Sequence, residues 1–238
     1  MSLPGGIVST LSNFTIEAWV KLNSTANWNR ILDFGNNTTT YMFLTPQNGS
    51  TSKVRFAITT SGGGGEQQIN GLSALSAGAW YHVAVTLSGN TGILYVNGAA
   101  VGTNSAMTLT PSSLGNTANN YIGRSQYSAD PYLNDVIDEF RIYSVALSAS
   151  EIAATDALGP NQVLSTTSPP ISIVPTAANL TLTWPLVSAG FTLQSCTNLV
   201  FGGWANVTSP APQIIGGQWQ VTLPASGSAN STFYRLVK

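Results

Sequence analysis

The stretch Phe14-Thr-Ile-Glu-Ala-Trp-Val-Lys-Leu22 decides the fold, because apolar residues occupy every second position over the length of one β-strand. Successive side chains of a strand point to opposite faces of a sheet, so such a segment covers a core with one face. Six further stretches share the pattern and end in glycine, asparagine or serine. They are residues 30–34, 41–44, 54–58, 80–86, 92–96 and 136–143. Many short strands without helices between them predict an antiparallel β-sandwich.

Two local signals add detail to this fold. Asn97-Gly98 lies between two apolar segments and is typical of a two-residue hairpin turn. Ser148-Ala-Ser-Glu151 is a capping box, which predicts one helix that begins there and ends before Gly159.

The composition excludes several classes of function. Only 17 of 238 residues are charged, 8 basic and 9 acidic, which is far below the usual fraction of about a quarter. Scattered basic residues cannot form a nucleic-acid-binding patch, and no apolar run reaches the roughly 20 residues of a membrane span. The single Cys196 and the single His82 exclude an internal disulfide, Cys-rich zinc sites and multi-histidine metal sites. A neutral surface rich in Thr and Asn is typical of a secreted or cell-surface bacterial protein.

Charge also divides the chain into two parts. Residues 157–238 contain only two charged residues, Arg235 and Lys238. Because residues 158–170 are rich in Pro, Ser and Thr, we expect a domain over 1–157, a linker over 158–170 and a small β-sandwich over 171–238. Strands are predicted at residues 180–184, 191–194, 218–223 and 233–237. The small core is expected to use Trp184, Phe191, Trp204, Trp219 and Tyr234, with Cys196 as a buried small apolar residue.

Several stretches of the first part occur in the order and spacing of a known family. They are Phe14-Thr-Ile-Glu-Ala-Trp-Val-Lys21, Trp80-Tyr-His-Val-Ala-Val-Thr86, Leu94-Tyr-Val-Asn-Gly98, Tyr121-Ile-Gly-Arg124 and Ile137-Asp-Glu-Phe-Arg-Ile-Tyr-Ser-Val-Ala-Leu-Ser-Ala-Ser-Glu-Ile152. On these residues the chain resembles the bacterial laminin-G-like, concanavalin A-like jelly roll. Residues 55–69 are similar to a subgroup appended to secreted glycoside hydrolases that act on arabinose- and xylose-containing polysaccharides. The resemblance implies an all-β fold, a concanavalin A-like jelly-roll sandwich, followed here by a small C-terminal β-sandwich.

The second part resembles, less specifically, small C-terminal β-domains of large secreted bacterial proteins. The matching residues are Thr183-Trp-Pro185, Phe191-Thr-Leu-Gln-Ser195, Asn198-Leu199 followed by Trp204, and Phe233-Tyr-Arg-Leu236. Such domains have no clear activity, so this resemblance implies a spacer, attachment or packing role.

Catalysis is not expected. Retaining glycosidases need two carboxyl groups about 5 Å apart, which a strand supplies as Glu-x-Asp-x-Glu, and no such triplet occurs. The adjacent Asp138 and Glu139 are predicted to point to opposite faces of their strand. His82 is expected to be a half-buried structural residue of a strand. Because no Gly-Lys-Ser/Thr follows the glycines at 62–65, they predict a mobile loop beside a binding face, not a phosphate loop.

Two loops have the composition of a sugar site, in which aromatic faces stack on sugar rings and planar polar groups bond their hydroxyls. One covers residues 27–30 and leads to Asp33, and the other covers residues 124–134. The predicted carbohydrate-binding residues are Trp28, Arg30, Asp33, Gln67, Arg124, Gln126, Tyr127, Asp130 and Tyr132, with Gln68 beside them. Surface packing is the alternative interpretation of each aromatic residue. Trp19 and Trp80, at alternating strand positions, are predicted to lie in the core.

The resemblance also implies cofactors and partners. It implies a structural calcium ion at Asp138, and the alternative is that Asp138 caps a turn or pairs with a nearby arginine. It implies a non-catalytic carbohydrate-binding module that binds a polysaccharide or oligosaccharide and targets an attached glycoside hydrolase to plant or algal polysaccharide.

One departure from the family leaves a second function open. Relatives usually have an opening strand before the segment that corresponds to Ser2-Leu-Pro4. We therefore expect an unpaired sheet edge, and such edges recruit partner strands. The alternative function is a structural or adhesive cell-surface or filament subunit that self-assembles by strand donation.

Overall fold

The structure is a computed structural model that describes residues 1–200, 202–225 and 231–238. The chain forms two compact units, Met1–Ile152 and Ala153–Lys238. The capping box acts as predicted at the start of helix α1 (Ala149–Leu158), because the Ser148 N–H donates to the Glu151 carboxylate (2.8 Å) and Ser148 Oγ accepts from the Glu151 N–H (3.3 Å).

Two antiparallel sheets make up the first unit, as the alternating sequence predicts. In spatial order, the six-stranded sheet contains β1 (Ser2–Leu3), β10 (Asn119–Ile122), β3 (Leu32–Gly35), β4 (Tyr41–Thr45), β5 (Arg55–Thr59) and β6 (Gln67–Asn70). The five-stranded sheet contains β11 (Asp135–Tyr143), β2 (Phe14–Leu22), β7 (Trp80–Ser88), β8 (Thr91–Val96) and β9 (Ala99–Asn104). The prediction of an all-β jelly-roll sandwich is confirmed.

The core of the first unit is built from every second residue of these strands. In β2 the inward residues are Phe14, Ile16, Ala18, Val20 and Leu22, all at most 2% exposed. Residues of β4 and β5, among them Met42, Leu44 and Phe56, belong to the same cluster. Burying a side chain of this size stabilises a fold by roughly 1.5–3 kcal/mol, so the sandwich rests on this layer.

The hairpin between β8 and β9 has the turn that its sequence predicts. Val96 pairs with Ala99, which leaves Asn97 and Gly98 as a two-residue loop. Both have positive φ, 50° and 72°, as a type I′ turn requires.

The sheet edge at the beginning of the sequence carries a short strand. Ser2 pairs with Tyr121 and Leu3 with Asn120, so β1 is the outermost strand of the six-stranded sheet. Among the described residues, no strand pairs with the outer side of β1, so β1 forms the edge of that sheet.

The second unit contains two smaller antiparallel sheets. In spatial order, the four-stranded sheet contains β12 (Ser172–Pro175), β13 (Asn179–Pro185), β17 (Gln218–Pro224) and β16 (Gln213–Ile215). The three-stranded sheet contains β15 (Ala205–Asn206), β14 (Thr192–Cys196) and β18 (Phe233–Val237). The four strands predicted for this part all occur.

The predicted core of the second unit is correct at four of five aromatic positions. Trp184 and Trp219 are buried in it, and Phe191 and Tyr234 pack against it partly buried. The prediction for Trp204 is wrong, because its ring is partly exposed and lies beneath the Arg235 guanidinium, 4.2 Å from its Cζ. Cys196 is buried, as predicted.

Four predictions about the five-stranded sheet need correction. Trp80 is 47% exposed, because it pairs with Lys21 on the face of the sheet that points away from the core. Trp19 is buried, but on that same outer face, where its ring stacks on His82 at 4.3 Å. His82 is fully buried at 2% exposure, not half-buried.

The strict alternation expected at Asp138 and Glu139 fails, because Glu139 has a φ of 53° and the register shifts between Asp138 and Arg141.

Candidate functional site

A cavity of about 350 Å³ opens on the outer face of the six-stranded sheet. Strand alternation creates it, because residues between the core positions of β3, β4 and β5 point to this face. Tyr41 and Phe43 alternate with Met42 and Leu44 of the core, and Arg55 alternates with Phe56. The residues that line the cavity are Trp28, Arg30, Tyr41, Arg55, Gly63, Glu66, Gln68, Tyr127 and Asp130. We call this cavity the aromatic pocket.

Aromatic rings form the floor and one wall of the aromatic pocket. Tyr41 and Phe43 are buried, and Trp28 and Tyr127 pack against them partly buried. Trp28 meets Phe43 edge to face, with ring centres 6.5 Å apart. Tyr127 meets Tyr41 edge to face at 5.8 Å. Such tilted contacts fix the orientation of each ring.

Trp28 is held in place by its backbone and by a glycine. Its φ is 67°, in the left-handed region, and its N–H donates to the Gln47 carbonyl at 2.9 Å. A Cβ added at Gly49 would lie 2.4 Å from Trp28 Nε1, closer than atoms can approach. Gly49 therefore leaves the space that the indole ring occupies.

Arg30 lies at the back of the aromatic pocket and joins two carboxylates. Its Nη2 lies 3.1 Å from Asp130 Oδ2, and its Nε lies 3.5 Å from Asp33 Oδ2. Nη1 donates to the Trp28 carbonyl at 2.7 Å, and the guanidinium stacks on Phe43 at 4.0 Å. The side chain of Arg30 is 3% exposed. A buried arginine needs such partners, because an unpaired charge is costly to bury.

A second polar cluster lies on the side of the pocket where β5 and β6 pair. Glu66 Oε1 accepts from the Tyr41 hydroxyl (2.7 Å), and Oε2 accepts from Gln68 Nε2 (2.9 Å). Arg55 Nη1 lies 3.9 Å from Glu66 Oε2. Burial, together with the hydroxyl of Tyr127 and the nearby Glu66, raises the pKa of Tyr41 far above its usual range. Tyr41 therefore stays a neutral hydroxyl at all physiological pH values.

The structure brings together five of the nine residues predicted for the sugar site. Trp28, Arg30, Tyr127 and Asp130 line the aromatic pocket, and Asp33 lies buried behind Arg30. The site residues that sequence reasoning missed are Tyr41, Arg55 and Glu66, whereas Gly63 belongs to the glycine loop that was predicted beside a binding face. Their signal was the same strand alternation, which places Tyr41 and Arg55 on the face opposite the core.

The other four predicted residues lie elsewhere. Gln67 Oε1 accepts the backbone N–H groups of residues 108 and 109, at 2.8 and 3.0 Å. Arg124 stacks on the ring of Tyr121 at 4.6 Å. Gln126 donates to the carbonyl of residue 119 at 2.8 Å. Tyr132 is 71% exposed and borders a different cavity.

Asp138, the residue to which calcium was assigned, lies in β11 opposite Trp19. Within the parts of the chain that the structure describes, no group of three or more His, Cys, Asp or Glu side chains could hold a metal ion. Asp138 is therefore not one of three clustered side chains of this kind, although calcium also takes backbone carbonyl oxygens as ligands. Calcium at Asp138 stays a prediction, and it has no part in the function proposed below.

Asp33 makes the stability of the protein depend on pH. Burial raises its pKa to about 7, although the Gln126 N–H and the Arg30 charge act in the opposite direction. The unfolded chain releases this proton near pH 3.9, so the native state binds it more tightly than the unfolded state does. The free energy of unfolding therefore falls as pH rises from about 4 to about 7. We expect Asp33→Asn to flatten this fall, as measured by thermal unfolding across that range.

Asp135 provides the comparison for this experiment. Burial raises its pKa to about 6, so Asp135→Asn should flatten the curve only up to about pH 6. An unchanged slope above pH 6 in Asp33→Asn would contradict the assignment.

Two antiparallel sheets packed face to face in this strand order define a jelly-roll β-sandwich. Residues 1–153 match the model of the concanavalin A-like lectin/glucanases superfamily, and the protein belongs to this family. A comparison with curated proteins gave no match. Among the described residues, no helix has the length and apolar character needed to cross a membrane.

Solved structures with a similar fold include domains of carbohydrate-active enzymes. Domain 4 of AbnA, a GH43 extracellular arabinanase from Geobacillus stearothermophilus in complex with arabinotriose, is 23% identical, with a TM-score of 0.54 over 64% of this chain and 69% of that chain. The CBM40 of the Ruminococcus gnavus IT-sialidase, bound to α2,3-sialyllactose, is 17% identical, with a TM-score of 0.52 over 65% and 94%. The NanB sialidase from Streptococcus pneumoniae is 14% identical, with a TM-score of 0.52 over 73% of this chain and 30% of that one. At these identities the likeness shows the fold.

Proposed function

We propose that the first unit is a non-catalytic carbohydrate-binding module whose ligand is a neutral sugar bound in the aromatic pocket. The observation that carries the proposal is the pocket itself, in which the rings of Trp28, Tyr41 and Tyr127 surround one cavity together with polar side chains. Sugar rings present apolar faces to aromatic side chains and hydroxyl pairs to planar polar groups. The arabinotriose complex of a similarly folded domain is consistent with a neutral ligand, and the complex of another with the acidic sialyllactose is consistent with sugar binding by this fold in general.

The charges of the pocket favour a neutral ligand. Arg30 is paired with Asp33 and Asp130, and Arg55 faces Glu66. Because these charges already have partners, they offer hydrogen bonds to hydroxyls without attracting a charged group. Binding should therefore depend little on ionic strength.

The carboxylates of the pocket favour binding over hydrolysis. A glycosidase needs one carboxylic acid that gives a proton to the leaving group. Glu66 accepts hydrogen bonds from Tyr41 and Gln68, and Asp130 accepts from Ser125 (2.8 Å) beside Arg30. Both carboxylates thus act as hydrogen-bond acceptors within the protein, and the same role suits them to accept hydrogen bonds from sugar hydroxyls.

The finer parts of the proposal concern location and partners. We propose that the protein acts at the cell surface or outside the cell, where it targets an attached glycoside hydrolase to plant or algal polysaccharide. Self-assembly by strand donation stays a prediction, which size-exclusion chromatography tests. Polymers that form with rising protein concentration would favour self-assembly, and a monomer would favour the binding module.

Trp28→Ala tests the proposed site. We expect at least one of arabinan, xylan, fructan and galactan to retard the protein in affinity electrophoresis. Trp28→Ala should weaken this retardation about tenfold, because the variant loses the stacking surface.

Trp80→Ala is the matched control, since it removes a tryptophan that is 47% exposed on the five-stranded sheet. It should keep the retardation of the unmodified protein. If none of the four polysaccharides retards the protein, or if both variants weaken binding equally, the proposal is wrong.

A further inference from the structure

A row of planar polar side chains crosses the outer face of the three-stranded sheet in the second unit. Gln194 lies opposite Asn206 on one side and Arg235 on the other. Gln194 Nε2 donates to Asn206 Oδ1 (2.9 Å), and Gln194 Oε1 accepts from Arg235 Nε (2.9 Å). The adjacent strand residues Leu193 and Leu236 belong to the core of this unit. The row therefore faces away from that core.

Arg235 is held in position without being neutralised. Its guanidinium stacks on Trp204, and its Nε is bonded to Gln194. Its Nη1 and Nη2 have no hydrogen bond or ion pair to any residue that the structure describes. Residues 157–238 contain no aspartate or glutamate in their sequence. A guanidinium fixed in this way loses little side-chain freedom when its outer edge binds a ligand.

We propose that Trp204, Asn206, Gln194 and Arg235 form a second binding site, which takes the acidic sugar residues of a polysaccharide. The two outer nitrogens of the guanidinium match two oxygens of a carboxylate or a sulfate ester. The amides of Gln194 and Asn206 continue the row and can bond neighbouring hydroxyls. Trp204 adds apolar surface beside them, since its ring is partly exposed. The chemistry differs from that of the aromatic pocket, where every arginine faces a carboxylate.

Affinity electrophoresis of the full chain tests this site with polygalacturonate, a sulfated galactan and an uncharged galactan. We expect at least one acidic polysaccharide to retard the protein at low ionic strength, and added salt to reduce the effect. Retardation by polygalacturonate alone identifies a carboxylate ligand, and retardation by the sulfated galactan alone identifies a sulfate ester.

Variants separate the proposed site from general attraction to a positive charge. Arg235→Gln should weaken binding of the acidic polysaccharide about tenfold or more, because it removes charge-assisted hydrogen bonds. Arg235→Lys should restore only part of the binding, since it keeps the charge and loses the planar fork. Lys238→Gln is the matched control, because it removes the other positive charge of residues 157–238, and it should stay within about twofold of the unmodified protein. Thermal unfolding checks that each variant is folded.

Two results would overturn the proposal: no retardation by either acidic polysaccharide, or equal losses in Arg235→Gln and Lys238→Gln. The outcome is independent of the aromatic pocket. Acidic polysaccharides and neutral glycans are separate ligands in these gels, so failure of one proposal leaves the other standing.

Discussion

Arg30→Leu is expected to lower the free energy of unfolding by about 3–5 kcal/mol. Arg30 is the cation between Asp33 and Asp130, and its side chain is 3% exposed. Its removal leaves Asp33, which is fully buried, without a cation. Chemical denaturation at about pH 8 compares the two proteins where Asp33 of the unmodified protein is ionised.

Lower pH should reduce the damage in Arg30→Leu. At about pH 5 Asp33 of the folded protein holds its proton and is neutral. The loss of Arg30 then leaves no unpaired charge at Asp33, so the variant should lose less stability. Arg124→Leu is the control, because this exposed arginine stacks on Tyr121, and it should cost less than about 1 kcal/mol. Equal losses in the two variants would show that Arg30 has no structural role in the pocket.

Glu17→Leu should have the second largest effect, a loss of about 3 kcal/mol in the free energy of unfolding. Glu17 lies on the outer face of the five-stranded sheet and is 1% exposed. It accepts hydrogen bonds from Tyr143 (3.0 Å) and Arg141 (3.2 Å) and lies 3.3 Å from His82 Nε2. Without this carboxylate, buried donors of two strands lose an acceptor.

Glu139→Gln provides a matched control for Glu17→Leu. Glu139 also pairs with Arg141, at 3.3 Å, but its side chain is 43% exposed. A pair screened by solvent contributes little, so this variant should lose less than about 1 kcal/mol in chemical denaturation. If Glu17→Leu and Glu139→Gln lost similar amounts of unfolding free energy, burial would not explain the effect of Glu17.

The pH dependence of the Glu17 effect has the opposite sign to that of Asp33. Burial alone would raise the pKa of Glu17, but His82, Tyr143 and Arg141 together hold it below its usual value. Stability that comes from Glu17 is therefore present above about pH 4.5 and is lost as pH falls through the lowered pKa. The two carboxylates can be distinguished in one pH series, because they act on different sides of about pH 4.

The strands could be predicted from the sequence because alternation of apolar residues is a local property. The prediction of β2 at Phe14–Leu22 is correct to the residue. Alternation separates the two faces of a sheet, but it does not show whether other side chains cover the outer face. Trp19 and Trp80 show this, since both point away from the core but only Trp19 is buried.

The aromatic pocket could be predicted in part, for a related reason. Trp28 and Tyr127 stood out because each lies in a loop with an unusual mixture of aromatic and polar residues. Arg55 and Glu66 did not, because their positions depend on how β5 pairs with β6. Likewise, the shift at Glu139 depends on how β11 pairs with β2. Pairing between strands is a long-range property that no short stretch of sequence contains.

The alternation of β3, β4 and β5 also constrains how this binding site can evolve or be engineered. Strands β4 and β5 supply the core with one set of residues and the aromatic pocket with the other, and β3 places Asp33 behind Arg30. Inserting one residue within β4 would turn Tyr41 or Phe43 toward the core and bring an apolar partner into the pocket. Ligand preference can therefore change by substitution within the strands or by altered length of the loops at residues 36–40 and 60–66, but not by insertion within a strand.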